Sequence, residues 1–443
     1  MARTLGRFRF SVGLVVALVA GASSEAIADV PLVRILASDG TASDRFGVSV
    51  AMSGDTAVIG APGDGPQGAA SGSAYVFVRG ALGWVQQAKL TASDGAAGAA
   101  FGSAAAISGD TVVVGATNAK IAGTETGAAY VFVRSGTTWS EQAKLSALDF
   151  IALDQFASAI SASGNTVAIG AFQADPFGQD SGAAYIFTRT GTTWSQQAKI
   201  VPIDGRAFDY FGTSVAVNGD TFVGGAPGDD DNAIASGSVY VYVRSGTNWG
   251  LQQKIRPADG ADRDQFGNAV ALGTDTLVVG SPDDDEHGLA SGSAYVYARS
   301  SGLWSQQAKL VPDDGAPGDF FGAKMSLSGN NVLIGAYLDE VSAPHSGSAY
   351  AFQRNGTTWS QVHKYAPAFA ADDNFGVAIA LDGDQGLAGV EQDDTLGSNA
   401  GAAFSLVFAT STVPAAGAYM WFFACALVAI GAFVIRTKPN AAR

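Results

Sequence analysis

Phenylalanine recurs along the chain at an almost constant interval, and this regularity restricts the folds that the sequence can adopt. Successive members of the series are 55 residues apart five times and 54 residues apart once, at Phe46, Phe101, Phe156, Phe211, Phe266, Phe321 and Phe375. A fixed period predicts one structural unit repeated seven times, with each unit burying its apolar surface against its neighbours. The 443 residues therefore do not need to be divided among unrelated domains.

Each unit contains four short segments in which apolar and polar residues alternate. In the first unit these segments are 47–52, 56–61, 73–79 and 84–90, and glycine-containing turns separate them. Alternation with a period of two is typical of β-strands, and four such strands in sequence form one antiparallel blade. We therefore predict an all-β fold, a seven-bladed β-propeller of four-stranded antiparallel blades, over residues 29–410.

The two ends of the repeat array complement each other. Residues 31–40 (PLVRILASDG) match the fourth segment of a unit, as in residues 86–95 (QQAKLTASDG), whereas the seventh unit ends after its third segment at 402–408. We expect the N-terminal strand to complete the last blade and to close the ring without an exposed strand edge.

The N-terminus has the features of a signal peptide. Residues 1–28 combine a basic start, an apolar stretch at 12–22 and the small-residue pattern Ala26-Ile27-Ala28. These features predict export and cleavage before Asp29. A retained N-terminal anchor is the alternative, although the apolar stretch is short for a membrane span.

A second apolar segment follows the repeats, after a linker at 411–414. Residues 415–435 carry no charge and are long enough to span a membrane as one helix, and residues 436–443 form a basic tail. The positive-inside bias predicts a cytoplasmic tail and a propeller on the opposite side. The arrangement resembles the PEP-CTERM and IPTL-CTERM sorting segments of exported proteins, so a permanent anchor and C-terminal processing both remain open.

The charge of the chain excludes one class of partner. The formal net charge is −15, and because the two basic ends contribute +2 and +3, the middle carries about −20. An acidic body of this kind does not favour nucleic acid, whose phosphates require a basic surface. It is compatible with cations or with basic partners.

A family resemblance rests on the Phe-Gly pair and a later Gly-Ala-Pro. Phe211-Gly212 with Gly225-Ala226-Pro227 is one example. The pattern resembles the FG-GAP repeats of integrin α-subunit propellers and bacterial surface proteins over residues 30–410. The resemblance implies a propeller fold and an interaction role. The calcium loop that integrin repeats often carry between the first and second strands is missing from the corresponding turns, such as Ser53-Gly54-Asp55.

Aspartates concentrate in the connections that we expect on one face. Two loops contain runs of acidic residues, and the links between blades add spaced pairs. A calcium site, the only cofactor considered, is predicted at Asp229, Asp230, Asp231, Asp283, Asp284, Asp285 and Glu286. A ligand-binding rim is predicted at Asp39, Asp44, Asp204, Asp209, Asp259, Asp264, Asp314 and Asp319. The alternative is a solvated rim, because aspartate also favours turns.

Catalytic signatures are weak in this sequence. The three histidines, His287, His345 and His363, occupy unrelated points of their repeats and suggest neither a metal triad nor a Ser-His-Asp arrangement. We therefore predict a non-enzymatic exported or cell-surface propeller for protein or glycan interaction, including adhesion and cation-dependent binding. A glycosidase-like propeller hydrolase and a structural envelope spacer are the alternatives.

Overall fold

The computed structural model describes residues 32–81 and 83–408. The predicted signal peptide at 1–28, the transmembrane helix at 415–435 and the tail at 436–443 lie outside these residues. Within 32–81 and 83–408, no helix has the length and apolarity needed to cross a membrane.

Seven four-stranded antiparallel sheets are arranged in a ring, which confirms the predicted seven-bladed propeller. The first strand of each blade lies nearest the axis and contacts the first strands of both neighbouring blades. In blade order these strands are Ser49–Ser53, Phe101–Ser108, Ala159–Ser163, Ser214–Asn218, Ala269–Leu272, Lys324–Ser328 and Ile379–Asp382. The second strands are Thr56–Ala61, Thr111–Ala116, Thr166–Ala171, Thr221–Ala226, Thr276–Ser281, Asn331–Ala336 and Gln385–Val390.

The outer half of each blade consists of its third and fourth strands, which have eight residues each in blades one to six. The third strands are Ser73–Gly80, Ala128–Ser135, Ala183–Thr190, Ser238–Ser245, Ser293–Ser300, Ser348–Asn355 and Ala402–Val407. The fourth strands of blades one to six are Gly83–Leu90, Thr138–Leu145, Thr193–Ile200, Asn248–Ile255, Leu303–Leu310 and Thr358–Tyr365. A small additional hairpin, Lys120–Ile121 and Thr124–Glu125, lies in the long loop of blade two.

The N-terminal strand closes the ring as predicted. Val33–Ile35 pairs antiparallel with Ala402–Val407, with Val33 opposite Ser405 and Ile35 opposite Ala403. The first described strand of the chain is thus the fourth strand of blade seven, and both ends of the array lie in one sheet.

The apolar core lies between adjacent blades. Each buried cluster joins two neighbouring sheets, as where Val58 and Leu90 of blade one pack with Phe101 and Tyr130 of blade two. The repeated phenylalanine has an edge-to-face contact with the tyrosine of its own third strand, at 5.5 Å between the centroids of Phe101 and Tyr130. Such contacts are favourable beyond the area that they bury.

One glycine per blade permits the close approach of the neighbouring backbone. A Cβ atom on Gly60 would lie 2.0 Å from the carbonyl oxygen of Gly102 in the next blade. The hydroxyl of Ser49 donates to that same oxygen at 2.8 Å. The glycine before the final alanine of the second strand is therefore required by blade packing.

Candidate functional site

Two sets of connections share one face of the ring, which we call the long-loop face. They are the loops between second and third strands and the links that lead from each fourth strand to the next blade. Backbone hydrogen bonds join them, as where Phe208 donates to Gln179 at 2.8 Å and Tyr210 donates to Asp180 at 3.1 Å. The predicted rim and the predicted metal residues thus lie on one surface.

A lysine lies at the centre of the acidic residues in blade four. Lys254 is opposite Tyr240 in the strand register, so both side chains project from the same side of the sheet. The Lys254 ammonium lies 2.9 Å from Asp204, 2.7 Å from Asp229 and 2.6 Å from Asp231. The Tyr240 hydroxyl donates to Asp204 at 3.1 Å and to Asp229 at 2.9 Å.

This Asp-Tyr-Lys arrangement recurs around the ring. The lysine is the last residue of a Gln-x-x-Lys or Gln-x-Lys segment in the fourth strand, and each ammonium forms ion pairs with one to three carboxylates. The pairs are Lys89 with Asp39 and Asp64, Lys144 with Asp94, Lys199 with Asp149, Lys309 with Asp259, Asp284 and Glu286, and Lys364 with Asp314 and Asp339. In blade seven, Arg34 lies over the Phe404 ring and pairs with Asp393.

These contacts change the acidity of the first aspartate in each link. Partial burial alone would raise the pKa of Asp39, but hydrogen bonds from Lys89 and Tyr75 outweigh it and lower that pKa. Asp204, Asp259 and Asp314 follow the same pattern with their own lysines. These four rim residues are therefore ionised and already paired with protein cations.

The second aspartate of each link has a different environment. Asp44, Asp209, Asp264 and Asp319 are buried, and each accepts a hydrogen bond from the backbone N–H three residues earlier, at 2.6–2.7 Å. Burial raises the pKa of all four, and it raises those of Asp209 and Asp319 to about 6. These side chains stabilise a turn, which is the local role expected of aspartate.

The acidic loop of blade four is held mainly by local contacts. Asp229 and Asp231 pair with Lys254, and Arg256 lies 3.3 Å from Asp231. Asp230 accepts a hydrogen bond from the backbone N–H of Ala235 at 2.6 Å.

The acidic loop of blade five repeats this geometry. Asp284 and Glu286 pair with Lys309, and Asp285 accepts from the N–H of Ala290 at 2.8 Å. Asp283 accepts a hydrogen bond from the Gln265 amide. Throughout residues 32–81 and 83–408, no group of three or more His, Cys, Asp or Glu side chains has an arrangement that could hold a metal ion.

A cleft of about 510 Å³ lies between these two loops on the long-loop face. Its walls combine carboxylates, aliphatic side chains and one arginine. These residues are Asp262, Asp283, Asp285, Ile234, Leu289 and Arg263. Leu289 is 76% exposed and Ile234 is 64% exposed. The cleft therefore offers an apolar contact surface with acidic groups beside it.

Further apolar side chains are exposed on the long-loop face at blades two to four. The link at 146–156 reads ALDFIALDQF after its serine, and it lacks the Asp-Gly pair found in most other links. Leu148 is 80% exposed in this link, and Ile203 is 88% exposed in the next one. The side chain of Phe177 lies beside Gly205, so loop and link contribute to one surface. Sequence reasoning missed this surface, although the departure of 146–156 from the repeat was visible.

Comparisons with known proteins place the repeats of this chain in a known family. The chain is similar to the crystal structure of Saccharomyces cerevisiae Sqt1, with 12% identity, coverage of 84% of this chain and 85% of that chain, and a TM-score of 0.46. A search of curated proteins found no match. The model of the FG-GAP repeat matches residues 32–77, 84–132, 139–187, 194–242, 249–297 and 304–352. Because these ranges cover well over half of the chain, the protein belongs to the FG-GAP repeat family.

Proposed function

We propose that this propeller is a non-enzymatic interaction module that binds a protein partner through its long-loop face. The observation that carries the proposal is the set of exposed apolar side chains in loops that depart from the repeat. Leu148, Ile203, Ile234 and Leu289 all belong to this face, in blades two to five. Solvent-exposed apolar groups that cluster on one surface mark interaction sites more often than scattered ones do.

The surrounding charge indicates the chemistry of the partner. Asp262, Asp283 and Asp285 line the cleft beside the exposed aliphatic residues, and Arg263 is the single basic side chain there. A partner segment with an apolar side chain for the cleft and lysine or arginine at its rim would complement both features. Since Lys254 and Lys309 already pair with four of the seven acidic loop residues, we expect this contact to form without a bound cation.

The two ends of the sequence favour a particular cellular location for this partner binding. The signal-like residues 1–28 and the apolar segment 415–435 favour an exported propeller that is tethered to a membrane on the non-cytoplasmic side. In that setting, the long-loop face would act as an adhesive or docking surface of the cell envelope.

Site-specific photo-crosslinking in the source organism tests the proposal. A photoreactive phenylalanine analogue is placed at Ile203 or Leu289 in the full chain, and the control positions are Val85 and Leu303, which are 62% and 63% exposed in fourth strands. We expect the same partner to be crosslinked from Ile203 and Leu289 and from neither control.

Binding of the purified partner then provides the quantitative test. Ile203→Asp and Leu289→Asp are expected to weaken binding at least about tenfold, because each places a charge in an apolar contact, whereas Val85→Asp leaves binding unchanged. Equal crosslinking at all four positions, or none at any, would contradict the proposal and favour a structural spacer.

A further inference from the structure

The axis of the ring contains two cavities bounded by the first strands. One has a volume of about 430 Å³ and the other about 220 Å³. Residues of one layer, including Val50 in blade one and Met325 in blade six, line both cavities and so form the boundary between them. The smaller cavity contains the beginnings of the first strands, which follow directly from the links. It therefore opens toward the long-loop face.

One residue position supplies most of the polar groups of this smaller cavity. It is the position two residues after the repeated phenylalanine, and in six blades it is occupied by Val48, Ser103, Ser158, Thr213, Asn268 and Val377. In blade six that position is Ala323, and the next residue, Lys324, lines the cavity instead. Among the described residues that line the cavity, Lys324 is the one with a charged side chain.

The Lys324 ammonium differs from every other lysine on this face. The rim lysines each contact a carboxylate, whereas Lys324 makes no hydrogen bond or ion pair with any residue in 32–81 or 83–408. Glu391 is the carboxylate whose charge acts on it, and Glu391 is already paired with Arg45. The side chain is accessible to water in the channel but surrounded by protein, and this loss of bulk solvent lowers its pKa, while the charge of Glu391 acts in the opposite direction.

Neighbouring polar groups around the cavity also have unused hydrogen-bonding capacity. The partly buried Asn268 amide, which lines the cavity, makes no side-chain hydrogen bond within 32–81 and 83–408, whereas the Ser158 hydroxyl is enclosed by protein and out of reach of a ligand. Thr213 donates to the carbonyl of Tyr210 at 2.8 Å and Ser103 donates to that of Gly115 at 3.3 Å, so both hydroxyl oxygens remain free to accept. A buried polar group without a partner costs free energy unless a ligand or water satisfies it.

We propose that the long-loop mouth of the axial channel binds a uronic acid, with its carboxylate on the Lys324 ammonium and its hydroxyls on Thr213, Asn268 and their neighbours. A single cation matches a single carboxylate, whereas a phosphate or sulfate dianion would be repelled by the acidic rim. Serine, threonine and asparagine side chains both donate to and accept from sugar hydroxyls. The volume of about 220 Å³ holds roughly seven water molecules at ~30 Å³ each, which suits one sugar ring.

This site is independent of the protein-docking surface proposed above. The cleft and the apolar loops lie on the outer part of the face, whereas Lys324 lies on the axis. Loss of one activity would leave the other intact, so their failures are distinguishable. The sugar acid could be free or the end of a longer glycan, and the assay separates these two sources.

Calorimetry on the full chain in detergent, at low salt and neutral pH, tests the assignment. Titration with D-glucuronate is expected to show saturable binding, and D-glucose and acetate are expected to bind at least about tenfold more weakly, which corresponds to about 1.4 kcal/mol. Lys324→Met should abolish binding, Lys324→Arg should retain it, and Lys120→Met, at an exposed lysine in the hairpin of blade two, should leave it unchanged. A glucuronate-terminated oligosaccharide that binds as well as the monosaccharide would identify the end of a glycan as the source, whereas exclusion of the oligosaccharide would identify the free acid.

Chemical protection of the unsubstituted protein provides a second test that does not depend on the folding of a variant. Amines are acetylated with and without D-glucuronate, and modification is read by mass spectrometry. We expect glucuronate to protect Lys324 and not Lys120. Equal heats for D-glucuronate with the native chain and with Lys324→Met, acetate binding as tight as glucuronate binding, or unprotected Lys324 would overturn the proposal.

Discussion

Replacement of Asp209 by asparagine should stabilise the propeller at neutral pH. The Asp209 side chain is 4% exposed and accepts a hydrogen bond from the backbone N–H of Arg206 at 2.7 Å. Burial raises its pKa to about 6, and the charge of Asp229 adds to that effect, although the Arg206 hydrogen bond opposes it. Asparagine keeps an acceptor for the Arg206 N–H and removes the buried charge.

The magnitude and the pH range follow from the two pKa values. The ordinary aspartate value is 3.8 and the folded value is about 6, so the folded state binds the proton more tightly than the unfolded state does. Asp209 therefore lowers the free energy of unfolding as the pH rises from about 4 to about 6. At about 1.4 kcal/mol per pH unit the full cost is about 3 kcal/mol above pH 7 and close to zero below pH 4.

Melting temperatures of the native chain and Asp209→Asn at pH 7.5 and pH 4.0 provide the assay. We expect an increase for the variant at pH 7.5, of roughly 2 °C or more per kcal/mol for a chain of this size, and little difference at pH 4.0. Asp204→Asn is the matched control in the same link. It removes a carboxylate that is paired with Lys254, so it should lower the melting temperature at pH 7.5. A lower melting temperature for Asp209→Asn at pH 7.5 would refute the reasoning.

Three further substitutions test the packing of the ring. Lys254→Met leaves Asp204 and Asp229 without a cation and Asp231 with Arg256 alone, and it should lower the free energy of unfolding by about 2–4 kcal/mol, with partial recovery in millimolar calcium as the check that the carboxylates converge. Gly60→Ala inserts a methyl group against the next blade and should lower the free energy of unfolding in urea by about 1–3 kcal/mol. Gly109→Ala is the control: the residue has open space around it but a φ of 57°, so the cost should be about 1 kcal/mol. Ile35→Ala in the closing strand should cost about 2–4 kcal/mol because Ile35 is buried, and Val33→Ala, half exposed, should cost less than about 1 kcal/mol in the same assay.

The sequence was sufficient to predict the architecture because the same strand pattern recurs in every blade. Seven phenylalanines at a fixed interval determine the number of blades, and the match between 31–40 and 86–95 identifies the strand that closes the ring. The alternation of apolar and polar residues along a strand does not show, however, where the backbones of two adjacent blades come close together. The need for Gly60 depends on the carbonyl of Gly102, which belongs to a different sheet.

The candidate site was less predictable, because its contacts connect distant residues. The aspartates of the links were recognised from sequence as an acidic face, but their lysine partners lie about one repeat further along, as in the 50 residues between Asp39 and Lys89. The recurring lysine was visible in each fourth strand. Its side-chain direction depends on the register with the tyrosine strand, as for Lys89 opposite Tyr75, and that register follows from the bulge at Gln87 in the fourth strand. Charge counting alone therefore overestimated the free negative charge of the face.

The pairing of the first strand with the last has a consequence for how the chain assembles. Arg34 and Thr395 are hydrogen-bonded although 361 residues separate them, so Val33–Ile35 can pair only after nearly the whole repeat array has been synthesised. The entropic cost of bringing these two segments together is small, since chain closure over this length costs only about 2 kcal/mol more than closure over one repeat. The kinetic effect is larger, because contacts of such long range slow folding. Until Ala402–Val407 has been synthesised, Val33–Ile35 and Gln385–Val390 lack the strand that joins them, and this is the interval in which the chain is most exposed to strand exchange with a second copy.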